Sequence, residues 1–237
     1  MHLDVVEYRR FYDSPLGHLA RRTLRRRIRA IWPDTQGLAV LGLGYATPYL
    51  APFRTDAGRV FALMPGPQGV APWPREGKGL TALADEAELP LADASVDRVL
   101  IVHAVENTEV LRALLRQVWR VLTPAGRILV AAPNRTSLWA QFENTPFGHG
   151  RPFTRPQLER LLTEAMFTPL AWDRALCLPP LQWRLAVRYG RTLENIGQSL
   201  WPRFAGVILA EAAKQVYGVL PSSGLRVRAR VVVPEGR

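Results

Sequence analysis

The stretch VDRVLIVHAVENTEVLRALLRQVWRVLTPAGRILVAAP, residues 96–133, carries the reading of the fold. It opens with one apolar run, VLIV at 99–102, and closes with another, ILVAA at 128–132, and neither alternates with polar residues. Strands that are apolar on both faces are parallel strands covered by helices on each side, whereas half-exposed antiparallel strands alternate. Between the runs, Val110, Leu111, Leu114, Leu115, Val118, Trp119 and Leu122 recur at helical spacing. They predict an amphipathic helix over 109–122, stopped by Pro124 and Gly126. Strand, helix and strand in this order are the repeating unit of an α/β sheet.

The same alternation extends upstream. GLAVLGLG at 37–44 reads as a buried strand entering a glycine turn, RVFALM at 59–64 as a second strand and GLTALAD at 79–85 as a third. Residues 65–79, PGPQGVAPWPREGKG, contain Pro65, Pro67, Pro72 and Pro74 and therefore form a loop where a helix would be expected. Downstream, Thr154-Arg155-Pro156-Gln157 matches a capping box and starts another helix. A sixth strand is expected around 170–176, a helical segment near 181–200, and a last strand within AGVILAEAAKQVYGV at 205–219. Near the N-terminus Ser14-Pro15 opens a helix whose Leu16, Ala20, Leu24, Ile28 and Ile31 share one face. Arg21, Arg22, Arg25, Arg26 and Arg29 populate its other faces.

With 237 residues, 48% hydrophobic and 22% charged, the chain has a globular balance that excludes a disordered or fibrous protein. The net charge of +11 attracts anions without naming a function, and all its basic residues except Lys78 and Lys214 are arginine. One cysteine, Cys177, excludes an intrachain disulfide framework, and His2, His18, His103 and His149 lack metal-ligand spacing, so no metal is expected. Cytoplasmic location follows as the expectation, since no apolar run reaches about eighteen residues and MHLDVVEYRRFYD is not a secretory signal. Ser95, Ser137 and Ser199 lack the G-x-S-x-G setting of a hydrolase nucleophile.

Ligands of open α/β sheets sit beyond the carboxyl ends of the strands, so the turn at Gly42 and Gly44 is the first candidate site. These glycines permit a tight turn and close backbone approach to a ligand. A dinucleotide fingerprint would need glycine at Thr47 and an acid near Met64, which excludes a nicotinamide cofactor.

The series DEAELPLADASVDRVLIVHAVEN, the helix after it, and RQVWRVLTPAGRILVAAPN resemble the third to fifth strands of class I S-adenosylmethionine-dependent methyltransferases of the type 11 group. The resemblance runs from about Leu38 to Leu170. FYDSPLG and TPFGHGRPFTRPQLERLL are similar to segments of a bacterial subgroup. It implies an α/β, Rossmann-like class I methyltransferase fold: a seven-stranded, mostly parallel sheet with helices on both faces and the last strand antiparallel. A single domain is expected over 1–237, with residues 1–33 as an N-terminal helical cap and 134–153 as a substrate or lid loop.

The resemblance also implies site residues. Gly42, Leu43 and Gly44 would face the methionine and ribose of S-adenosylmethionine, Asp85 the adenine amino group, and Glu86 the ring through its backbone. His103, Ala104 and Val105 would lie near the sulfonium, with His103 the catalytic candidate, while Phe11 or Tyr12 would close the mouth. The family's acids before the first glycine and at the end of the second strand are here Val40 and Met64, so Gln68 becomes the ribose candidate. Its third glycine is Ala46. Asn107, Asn134, Arg135, Trp139, Glu143, His149 and Arg151 would meet a small-molecule acceptor, for which the basic rim favours an anion. Two other readings stay open: a non-catalytic binding or partner subunit that kept the fold, and an RNA-associated protein using the arginine helix.

Overall fold

The computed structural model describes residues 3–177, 180 and 205–216. Seven strands form one sheet in the order β3-β2-β1-β4-β5-β7-β6. They are β1 (Ala39–Gly44), β2 (Arg59–Pro65), β3 (Thr81–Ala84), β4 (Val96–Val102), β5 (Leu122–Pro133), β6 (Phe167–Ala175) and β7 (Val207–Lys214). Neighbours among the first five pair in parallel, and β7 runs antiparallel between β5 and β6. This is the class I methyltransferase fold that the sequence implies. The expected helix near 181–200, and the C-terminal end of the run 205–219, lie outside the described residues.

The helices are α1 (Val5–Asp13), α2 (Pro15–Ile31), α3 (Thr47–Leu50), α4 (Leu111–Val121) and α5 (Arg155–Glu164). They explain the doubly apolar strands. On one face, Val40, Met64, Leu100 and Leu129 pack with Leu16, Leu24 and Ile28 of α2. On the other, Leu41, Leu63, Val99 and Ile101 pack with Leu114, Leu115 and Val118 of α4 and Leu158 and Leu162 of α5. The exception is β3, whose residues are partly or fully exposed because it is the edge of the sheet; Leu83 is 51% exposed. Residues 65–79 form a loop with one short 3-10 turn at Gly66–Gln68, as the prolines dictate.

The N-terminal cap is two helices. Ser14 is extended, and its Oγ accepts from Gly17 N at 3.0 Å, so the chain turns a corner before Pro15. Gly17 lets the corner close: a Cβ there would lie 1.9 Å from Phe11 O. Asp4 and Glu7 form a capping box on α1 that sequence reading did not identify, and Thr154 and Gln157 form the expected one on α5.

Three arginines of α2 hold it to its surroundings. Arg25 donates to Pro48 O at 3.2 Å, Arg27 faces Asp173 at 3.5 Å, and Arg29 pairs with Asp56. Three of the six arginines of this helix are therefore internal fastening, while Arg22 and Arg26, one turn apart, are exposed. Among the described residues, no helix is long and apolar enough to cross a membrane, and no cluster of three or more His, Cys, Asp or Glu residues could hold a metal.

Candidate active site

The loops after β1, β2, β3 and β4 gather at the carboxyl ends of their strands, and the strand order reverses between β1 and β4. The glycine turn is fastened to β4 by Tyr45 N, which donates to Val102 O at 2.9 Å. Gly44 has φ +79°, and a Cβ there would sit 2.3 Å from Val102 O; one at Gly42 would sit 2.6 Å from Leu50 Cδ1. The side-chain directions of both glycines thus meet the protein itself. Close packing of β1 against β4 and α3 is therefore a second demand for glycine here, besides the ligand approach read from sequence. Leu43 belongs to the core beneath α4 and Met64 to the core on the α2 side, so neither offers a side chain to a ligand.

Just beyond β4, His103 adopts φ +56°, a costly conformation for a residue with a Cβ. Its ring is held on both nitrogens: Nδ1 lies 3.1 Å from Glu106 Oε1, and Nε2 lies 2.8 Å from Tyr12 Oη. Tyr12 Oη is in turn 2.7 Å from Tyr49 Oη. A carboxylate only accepts, so Nδ1 carries a proton toward Glu106; with a neutral imidazole, Nε2 accepts from Tyr12 and Tyr12 accepts from Tyr49. This chain is sealed from water, with the His103 and Glu106 side chains 1% and 0% exposed.

Aromatic rings from four segments enclose it. Tyr8 lies 4.9 Å from both Tyr45 and His103, Tyr12 stacks on Tyr45 at 5.6 Å, and Phe147 lies 4.9 Å from His103. Burial, reinforced by Glu106, pushes the Tyr8 phenol far above its usual range, and burial beside Tyr49 does the same to Tyr12. Tyr49 is raised by burial alone among its leading causes.

Three buried polar atoms around this point have no hydrogen-bond partner: Glu106 Oε2, Asn107 Oδ1 and Gln68 Nε2. Leaving such a group unpaired costs about 1–3 kcal/mol, and more for a charged one. Natural proteins keep few of them, so these three are candidate ligand contacts; five more, on Arg25, Arg27, Arg29, Thr35 and Arg98, lie elsewhere. Asn107 Nδ2 donates to Tyr8 Oη at 3.0 Å and so ties α1 to the β4 loop.

Beside this closed region lies an open cavity of about 670 Å³, lined by Gly66, Pro67, Leu83, Ala84, Asp85, Glu86, Glu109 and Val110. Its apolar sides include Leu83 and Val110, both unusually exposed at 51% and 45%. Asp85 Oδ1 accepts from Ala87 N at 2.7 Å, which fixes the carboxylate at the end of β3, and Glu86 Oε2 accepts from Thr108 Oγ1 at 2.6 Å. The volume is ordinary for a small-molecule site.

The residues expected to meet an acceptor are dispersed. Asn134 is buried and donates to Ala205 O at 2.8 Å; exposed Arg135 donates to Pro152 O at 3.0 Å. Trp139 is buried against Phe147, and His149 Nε2 donates to Glu143 O. Arg151 contributes its backbone N–H, 2.7 Å from Glu106 O, while its side chain is exposed. These contacts bind the 134–153 loop to itself and to the β4 end. Sequence reading missed Glu106, Tyr8 and Tyr49. Glu106 stands three residues after His103 in HAVEN, a spacing that could have flagged it, whereas the tyrosines carry no local signal.

A methyltransferase-domain family model matches residues 39–130, which span β1 to most of β5. A probable S-adenosylmethionine-dependent methyltransferase of Mycobacterium tuberculosis is 36% identical over 90 residues, 37% of this chain; the match spans 32% of that relative's length. Among solved structures, a methyltransferase from Thermotoga maritima, described as a possible histamine N-methyltransferase, superposes with TM-score 0.61 at 16% identity. That likeness covers 89% of this chain and 96% of that one. A Burkholderia thailandensis 1,6-didemethyltoxoflavin N1-methyltransferase with bound S-adenosylhomocysteine superposes with TM-score 0.55 at 17% identity, covering 90% and 85%. Residues 39–130 are thus similar to a methyltransferase domain, and the described fold is the one shared with these solved methyltransferases.

Proposed function

We propose that the chain is an S-adenosylmethionine-dependent methyltransferase acting on a small-molecule acceptor. The observation that carries this reading is the cavity at the ends of β2 and β3, lined by Asp85 together with exposed Leu83 and Val110. An adenine ring needs apolar faces and an acceptor for its amino group, and this cavity offers both. Gln68, whose buried Nε2 has no partner, is the ribose candidate on the loop after β2, and the unpartnered Glu106 and Asn107 oxygens suit donors farther along the cofactor.

When bound, S-adenosylmethionine supplies an electrophilic methyl group, so the protein's share of the chemistry is orientation, exclusion of water and proton management. His103 Nε2 is the base of this site. Glu106 holds its opposite nitrogen, and Tyr12 occupies it in the described conformation. Since Tyr8, Tyr12 and His103 are each 2% exposed or less, ligand entry at this end requires α1 to lift from the cleft.

Calorimetry with S-adenosylmethionine and S-adenosylhomocysteine tests the reading. Both should bind, and Asp85→Ala should weaken them roughly tenfold or more, the effect of one lost charge-assisted hydrogen bond. No binding at millimolar ligand overturns it. The buried condition of the His103 end favours a second reading, a partner subunit that keeps the fold without catalysis. A stable complex with another protein, combined with absent nucleoside binding, would support that alternative.

A further inference from the structure

We propose that the groove between α4 and the end of α5 binds an amphipathic carboxylate, an apolar chain carrying one anionic head. The groove offers about 490 Å³ of open space and shares no lining residue with the cavity at Asp85, so the inference stands apart from the methyltransferase reading. Its floor is apolar. Leu115 is fully buried there, while Trp119, Leu161 and Ala165 pack on the core and stay partly exposed where they line the groove. The indole is fixed in place: Trp119 Nε1 donates to Gln215 O at 3.2 Å, and Lys214 Nζ lies 4.1 Å from the ring centroid. Met166 completes the floor from a left-handed backbone, φ +64°, one residue past the C-cap of α5. Glycine is usual at that position, and the methionine that stands there despite the backbone strain gives the groove a flexible thioether.

The rim is cationic. Arg112 and Arg116 both line the groove from α4, at the four-residue spacing that puts side chains on one helix face. Arg112 makes one contact with Glu164, at 3.3 Å, and both of those side chains are largely exposed. Arg116 is exposed and has no hydrogen bond or ion pair among the described residues. A guanidinium has five N–H donors and no acceptor, so most of the donor capacity on this rim is open to an anion. A planar carboxylate matches the guanidinium fork. The apolar floor then takes the chain of the same molecule, which a free inorganic anion lacks, and the arginines take the head, which a neutral apolar molecule lacks.

Calorimetry with dodecanoate, below its micellar range, tests the proposal on wild-type protein and on the double variant Arg112→Ala, Arg116→Ala. A second double variant, Arg22→Ala, Arg26→Ala, makes the same change in charge on the exposed face of α2 and is the control. Wild type should bind dodecanoate saturably, lose about twofold or more in affinity for each methylene removed toward octanoate, and show no heat with acetate. The α4 variant should weaken dodecanoate about fivefold, the effect of two solvent-exposed ion pairs, and the α2 variant less than about twofold. All four arginines are exposed, so neither variant disturbs the core. Absence of dodecanoate binding, affinity independent of chain length, or equal weakening by the two variants overturns the proposal. A concentration-dependent dimer in sedimentation, abolished by the α4 variant, would give the groove to a second copy of the chain and overturn it as well.

Discussion

Replacing Tyr12 by Phe removes one oxygen from the centre of the buried chain and leaves the ring in place. The phenyl group keeps its stacking on Tyr45 at 5.6 Å and its edge contact with Phe11 at 5.1 Å, so neither a cavity nor a steric conflict arises. Two hydrogen bonds disappear, those to His103 Nε2 at 2.8 Å and Tyr49 Oη at 2.7 Å. Their former partners stay buried, at 2% and 0% exposure, and water cannot replace the lost oxygen. Each unpaired group costs about 1–3 kcal/mol, and the two together should lower stability by roughly 2–6 kcal/mol. Tyr45→Phe is the control, because the Tyr45 hydroxyl makes no hydrogen bond among the described residues; it should cost less than about 0.5 kcal/mol. Urea unfolding followed by tryptophan emission measures both differences. A Tyr12→Phe protein indistinguishable in stability from the Tyr45→Phe control would refute the hydrogen-bonded chain.

Gly44→Ala should lower the melting temperature sharply or prevent soluble expression, since its Cβ would meet Val102 O at 2.3 Å in a backbone held at φ +79°. Gly17→Ala should open the corner between α1 and α2, seen as faster hydrogen exchange across residues 5–13, because its Cβ would meet Phe11 O at 1.9 Å. S-adenosylhomocysteine should also change exchange in that segment, as α1 must lift and reseat; unchanged exchange at saturating ligand would argue against entry beneath α1. At alkaline pH the phenols of Tyr8, Tyr12, Tyr45 and Tyr49, all raised by burial, hold their protons in the folded state. The unfolded chain releases them from about pH 10, so stability is intact below that pH and falls as pH rises above it. Absorbance at 295 nm should therefore show these tyrosines ionising together with loss of structure, and early ionisation in a folded protein would contradict their burial.

The sequence by itself determined the parallel sheet. Runs such as Val99–Val102 and Ile128–Ala132 are apolar on both faces because helices cover both, and that requirement is written locally in each strand. It also determined the helix starts at Ser14-Pro15 and Thr154, where a cap needs only neighbouring residues. Asp85 was legible through the order of motifs around it, and the structure lines a cavity with it.

Only the tertiary structure decided what surrounds His103. Tyr12 lies 91 positions from His103 and Tyr8 lies 99 from Asn107, and no periodicity links such partners. The fold brings α1 across the ends of β1 and β4, and this turns two scattered tyrosines, one histidine and one glutamate into a single buried polar chain. The same long-range packing supplied partners to other residues. Asn134 proved to have Ala205 O 2.8 Å from its amide, and the glycines of the turn proved to have β4 and α3 packed against them as well. Composition and spacing report which groups a chain has. Whether a polar group is paired, sealed or left open to a ligand depends on neighbours that only the folded chain supplies.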